Sequence, residues 1–156
     1  MQRIKLTDLL IFVVAAELVG AASALFSGGN FREYYDALVR PPIAPPGWVF
    51  PVAWGLLYAL MGTAAYLVYL NAHDLRTAAL KLYLLQLFVN FLWSPVFFGA
   101  KQLIPAAVIA GVLLVTVTLT TVAFFRVSET AGALMLPYLG WSAYALYLSV
   151  GYAVLN

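Results

Sequence analysis

Five apolar stretches, each long enough to cross a bilayer, govern what this chain can fold into. They run over 6–26, 47–70, 78–98, 104–125 and 131–155. About 20 mostly apolar residues span the hydrocarbon layer as a helix. Backbone polar groups find no water there, so a spanning chain must form helices or a closed barrel. Barrel strands alternate apolar and polar residues over about 10 positions, and none of these stretches alternates. The expected fold is all-α, a five-transmembrane-helix bundle. It forms a single domain over 1–156, with 27–46 as its one long connection. Charge agrees, because only 9% of the residues are charged, against about 25% in soluble domains. Too few remain to cover a water-exposed surface.

The first stretch shares features with a secretory signal: Arg3 and Lys5 ahead of an apolar run, and ASA at Ala22–Ala24. Its length and the presence of Glu17 favour a retained span. Arg3, Lys5, Arg76, Lys81 and Arg126 fall on one side of a five-span arrangement, with Arg32, Arg40 and Lys101 on the other. Basic residues favour the cytoplasmic side. The division puts the N-terminus in the cytoplasm, most simply of a bacterial cell membrane, and the long connection outside. The basic residues are scattered singly, which excludes the clustered face that nucleic acid needs. With no cysteine in the chain, thiol chemistry is excluded.

Polar groups inside the spans narrow the function. Glu17 lies in the middle of the first, where an ionisable group is a functional candidate. It is either a neutralised carboxyl packed between helices or a proton carrier in a small-molecule transporter. Gln86, Asn90 and Ser94 are spaced by four, so they share one face of the third helix. That face meets protein, water or ligand rather than lipid: it is either interhelical bonding or the polar stripe of a cavity. Ala16, Gly20, Ala24 and Gly28 also repeat every four residues, a small-residue stripe that lets another helix come close, within the chain or in a dimer. The single histidine, His73, sits in a polar loop, so no metal site and no Ser-His-Asp arrangement is expected in the bundle. No catalytic residue stands out.

The segment from Arg40 to Trp54, RPPIAPPGWVFPVAW, holds five of the eight prolines and two of the four tryptophans. Prolines keep a chain extended and remove backbone donors, which suits a lid over the mouth of a bundle. Pro41, Pro42, Pro45 and Pro46 are the lid candidates. Trp48 falls where interfacial anchors sit. Trp54 lies nearly two turns deeper, and its large face suits a flat apolar ligand. Pro46 and Pro105 suit helix starts, Pro51 an opening turn, and Pro95 and Pro137 are expected to kink their helices.

The stretch EYYDALVRPPIAPPGWVFPVAWGLLYALMG resembles the signature of the translocator protein family, also called tryptophan-rich sensory proteins (TspO/MBR) or peripheral benzodiazepine receptors. The likeness continues in LQLFVNFLWSPVFFGAK and PYLGWSAYALYLSVGYAVLN, so it spans the chain. The resemblance implies a five-helix bundle, usually dimeric, that binds porphyrins such as protoporphyrin IX or haem, and drug-like molecules in some members. Its cavity lies under the first loop. By position, Tyr35 matches the loop tyrosine, Trp54 the second-helix pocket tryptophan, Asn90 and Ser94 the polar residues of the third helix, and Trp141 the fifth-helix tryptophan. Tyr34, Tyr58, Gln86 and Ala145 complete the candidate ligand-binding set, and Arg40 or Arg32 is a candidate partner for a propionate. The resemblance turns the first-helix stripe, Ala16, Gly20 and Ala24, into a candidate dimer contact.

Two departures matter. Tyr34 stands where the family has a tryptophan, and Arg40-Pro41-Pro42-Ile43 replaces its Lys-Pro-x-Trp. The lid loses stacking surface, and light-driven porphyrin degradation, an enzymatic alternative, loses support. After Tyr152 no basic residue follows, so the sterol pattern is absent. The expected function is binding of porphyrins and related flat apolar ligands, for transport, sensing or tetrapyrrole regulation, with no cofactor required. The alternative is a proton-coupled transporter using Glu17.

Overall fold

The structure, a computed structural model, describes residues 3–156. Its elements are α1 (Leu6–Phe26), α2 (Phe31–Ala37), α3 (Val49–Leu70), α4 (Arg76–Ser94), α5 (Leu103–Val127) and α6 (Glu129–Leu155). Five helices are long and apolar enough to cross a membrane, and no strand occurs among the described residues. The all-α five-span bundle expected from hydropathy is the observed fold. The second span begins at Val49 rather than 47, and the third at Arg76 rather than 78. The addition is α2, a seven-residue helix inside the lid.

Each boundary has a local cause. Gly28 follows the end of α1 with φ +83°, the left-handed turn that stops helices and that glycine adopts without strain. Ser128 alone joins α5 to α6. Its extended backbone reverses the chain, and its Oγ accepts from the Ala131 N–H at 3.3 Å, an N-cap. His73 caps too: its Nδ1 accepts the Leu75 N–H at 3.0 Å, a structural use for the single histidine.

Pro95 does more than bend α4. The helix passes into a five-residue π-helical turn, Pro95–Gly99, closed by the Ala100 N–H donating to the Pro95 carbonyl at 2.8 Å. Pro95 has no N–H, so the Phe91 carbonyl one turn back lacks its helical donor. Ser23 of α1 supplies one, with Oγ donating at 2.8 Å. The proline thus creates an anchor for α1. Pro137, by contrast, lies within α6 without interrupting it.

Two apolar clusters fill the bundle. One joins α1, α3, α4, α5 and α6 around Met61, Val68, Val117 and Met135. The other lies under the lid and is mostly aromatic: Tyr35, Phe50, Trp93, Phe97, Phe98 and Tyr152. α1 keeps a lipid-facing row of exposed side chains, Leu10, Ile11, Val14 and Leu18. Its small-residue stripe divides. Ala16 is buried to 1% within the chain, Gly20 lies against the Tyr58 ring, and Ala24 stays exposed. Ala16 and Gly20 are therefore used inside the monomer, which leaves Ala24 to face outward.

The lid explains its prolines. Its backbone is rich in acceptors and poor in donors, and tyrosines supply the missing donors. Tyr35 donates its hydroxyl to the Pro45 carbonyl at 2.7 Å. From α6, Tyr147 donates to Pro42 at 2.8 Å and Tyr144 to Ile43 at 2.6 Å. Asn156 closes the same face, bonding both the N–H and the carbonyl of Val39 at 2.8 and 3.0 Å. Pro41 seats on Gly151, where a Cβ would come within 2.7 Å of its ring. Ile43 is held at φ 59°, an unfavourable region for a β-branched residue, with its carbonyl fixed by Tyr144.

Candidate functional site

A cavity of about 330 Å³ lies between α1, α3 and α4, below the lid. That is the lower end of the usual range for small-molecule sites. α1 contributes Glu17, Gly20, Ala21, Ser23, Ala24 and Ser27. The facing wall is aromatic, with Phe50, Trp54 and Tyr58 from α3, Trp93 from α4 and Phe98 from the π-helical turn. Phe31 of α2 closes the lid end. Ala21, Ala24 and Pro51 are exposed, so the mouth opens sideways between the lid-side ends of α1 and α3.

The floor is a hydrogen-bonded chain across three helices. Tyr58 donates to Asn90 Oδ1 at 2.9 Å, Asn90 Nδ2 donates to the Tyr138 hydroxyl at 2.7 Å, and Tyr138 donates to Gln86 Oε1 at 2.7 Å. Gln86 ends it with a long contact from Nε2 to Met61 Sδ at 3.9 Å. Such a chain fixes the rotamer of every member. Asn90→Leu removes the first two bonds of the chain, leaving the buried Tyr58 hydroxyl without its acceptor and Tyr138 with its bond to Gln86 alone. It is expected to destabilise the protein by about 1–3 kcal/mol, read as a lower thermal midpoint in detergent.

The polar stripe read from the sequence splits by depth. Asn90 and Ser94 line the cavity. Gln86, one turn farther from the lid, is 0% exposed and spent on Tyr138. Trp54 and Tyr58 are cavity walls. Trp141, Ala145 and Tyr35 sit instead around a second, much smaller void of about 10 Å³, with Leu148 and Tyr152. Phe50, Trp54 and Trp93 line both spaces and form the partition between them. Tyr34 lines neither; its ring packs against Phe97 and Phe98, under Lys101 Nζ at 5.3 Å. The lid prolines Pro41, Pro42, Pro45 and Pro46 do not line the cavity. Arg40 pairs with Asp36 at 2.6 Å and lies 5.2 Å over the Tyr35 ring. Burial raises the Tyr35 hydroxyl above its ordinary range, so it remains a donor to Pro45.

The second void has a chemical peculiarity. Trp141 Nε1 and the Tyr152 hydroxyl are buried there with no hydrogen-bond partner. An unpartnered buried donor is costly, and a void this size holds at most about one water. Trp93 differs, since its Nε1 donates to Ser149 Oγ at 3.0 Å.

A family model described as TspO/MBR matches residues 12–155. The chain belongs to the TspO/MBR family. It is 37% identical over 138 residues to Protein CrtK of Rhodobacter capsulatus, covering 87% of this chain and 84% of the relative. It is 36% identical over 140 residues to the Tryptophan-rich protein TspO of Chlorobaculum tepidum, covering 88% and 89%. The Translocator protein of Homo sapiens is 36% identical over 141 residues, with 88% of this chain and 83% of that protein covered. Family membership and five apolar helices make this TspO/MBR chain a multi-pass integral membrane protein.

Several cavity residues escaped sequence reasoning. Ser23 and Ser27 look like ordinary members of an apolar helix, and their spacing of four was the only sign. Trp93, Phe50 and Phe98 were hidden among the chain's many aromatics. Glu17 stands out in the sequence, yet no periodicity says that it borders this space.

Proposed function

We propose that this TspO/MBR protein takes a flat, largely apolar ligand of the porphyrin class directly from the membrane. The carrying observation is the aromatic cavity between α1, α3 and α4, with its mouth opening sideways between two helices apolar enough to span a membrane. A ligand partitioned into lipid reaches such a mouth by lateral diffusion, without crossing the lid. Trp54 and Trp93 offer ring faces, and stacked or edge-on aromatic contacts favour a flat body. The two unpartnered donors behind the partition, Trp141 Nε1 and the Tyr152 hydroxyl, suit an acceptor group carried on the ligand's lid-side edge. Phe50 and Trp54 would shift to admit it, joining the two spaces.

The test is quenching of tryptophan fluorescence by protoporphyrin IX, in the dark, in detergent. Saturable quenching is expected for the wild type. Trp54→Phe should weaken affinity about three- to tenfold, the value of one aromatic contact. Trp48→Phe should leave affinity unchanged, because Trp48 is 61% exposed at the start of α3, outside the cavity. Equal affinities in all three proteins would remove the porphyrin from this site.

A further inference from the structure

The hydroxyl groups on the cavity wall all turn the same way. Ser27 Oγ donates to the Ser23 carbonyl at 2.7 Å and also meets Ser94 Oγ at 2.6 Å. Its single hydrogen is used on Ser23, so Ser94 is the donor in the second contact. Ser23 gives its own hydrogen to the Phe91 carbonyl. Tyr58 gives its hydrogen to Asn90. Every hydroxyl hydrogen on the cavity wall is therefore spent inside the protein, and what these groups show the cavity is oxygen. Beside them stands Glu17, the one acidic or basic side chain on the wall. Among the described residues no cation pairs with it; the ion pair found is Arg40 with Asp36, in the lid. Lys5, the residue that precedes α1, is twelve positions back, about 18 Å along the helix axis.

We infer that the α1 side of this cavity is a counter-ion site for a lipophilic amine: a protonated nitrogen carried on a flat aromatic body, with Glu17 Oε atoms facing the ammonium. The ring faces of Trp54, Phe50 and Trp93 complete it, since aromatic faces attract cations most strongly away from water. A carboxylate at membrane depth is costly when alone, and a ligand cation offsets that cost. The same wall repels anions, so the carboxylate groups of a ligand are directed toward the lid, where Trp141 and Tyr152 hold unspent donors. This rests on the reading of the cavity as the ligand site and adds a charge preference to it.

The experiment compares two probes with one ring system, 9-aminoacridine, which is protonated near neutral pH, and acridine, which is neutral there. Both are titrated by tryptophan quenching in an uncharged detergent. The wild type is expected to bind 9-aminoacridine at least about tenfold more tightly than acridine. In Glu17→Gln the two affinities should converge to within about twofold, with acridine unchanged, and protoporphyrin IX should bind as well or better. Glu17→Asp should keep most of the preference. The proposal is overturned if the wild type does not discriminate, or if the preference survives in Glu17→Gln. Failure of both acridines and of protoporphyrin IX to bind would instead remove the cavity itself as the ligand site. Binding of acridine without a charge preference would remove only the role of Glu17.

Discussion

Gly62→Val is expected to lower the thermal midpoint of the purified protein by about 5–10 °C. Gly62 sits where α3 crosses α1. A Cβ there would lie 2.8 Å from the Val13 Cα and 2.9 Å from the Phe12 carbonyl oxygen. Both are backbone atoms and cannot swing away. The helices must separate, losing the contacts around Ala16, Leu57 and Met61 that lie near the crossing. Overpacking of this kind typically costs about 1–3 kcal/mol, occasionally more. Valine's small gain in helix propensity over glycine, a few tenths of a kcal/mol, does not offset it. Gly140→Val is the control, because a Cβ at Gly140 meets nothing within 4 Å. A midpoint for Gly62→Val within a degree or two of the wild type would mean that α1 and α3 are not in contact there.

The bundle was legible in the sequence because its cause is one-dimensional. A bilayer demands a length of apolar chain, and length is counted directly. What escaped was whatever depends on a partner. The stripe Ala16, Gly20 and Ala24 announces a close neighbour but not its identity. Ala16 and Gly20 face α3, and only Ala24 remains at the mouth. Gln86, Asn90 and Ser94 share a helix face, yet a helical wheel carries no depth. The cavity stops below Asn90, so Gln86 falls into the packed floor. Pro95 announces a break but not that the Phe91 carbonyl it frees is taken by Ser23, from a helix sixty-eight residues earlier. The lid's prolines suit a place where backbone groups are hard to satisfy. The tyrosines that satisfy them, Tyr144 and Tyr147, come from the last helix and gave no local sign. α2 was missed because seven residues are too few for an apolar period to show.

The same physical contrast separates two glycines on α3. Gly62 has no room because the chain needs α1 against it. Gly55 has room, since a Cβ there meets nothing within 4 Å, and it lines the cavity beside the mouth. Gly55→Leu therefore places an isobutyl group at the edge of the space assigned to the ligand, from a Cβ position that meets no other atom within 4 Å. Glycine within a helix is unfavourable by about 0.8–1.0 kcal/mol relative to good helix formers, so stability should be equal or slightly higher. Binding should suffer, because a leucine there both narrows the mouth and removes volume from a cavity of about 330 Å³.

The measurement that bears most directly on a ligand site open to the membrane between α1 and α3 is thus a paired one on Gly55→Leu: thermal midpoint and protoporphyrin IX affinity in the dark. A midpoint at or above that of the wild type, with affinity weaker by at least about tenfold, is the expected result. An undiminished affinity in a stably folded Gly55→Leu protein would contradict the account, because the ligand would then have to bind somewhere other than this cavity.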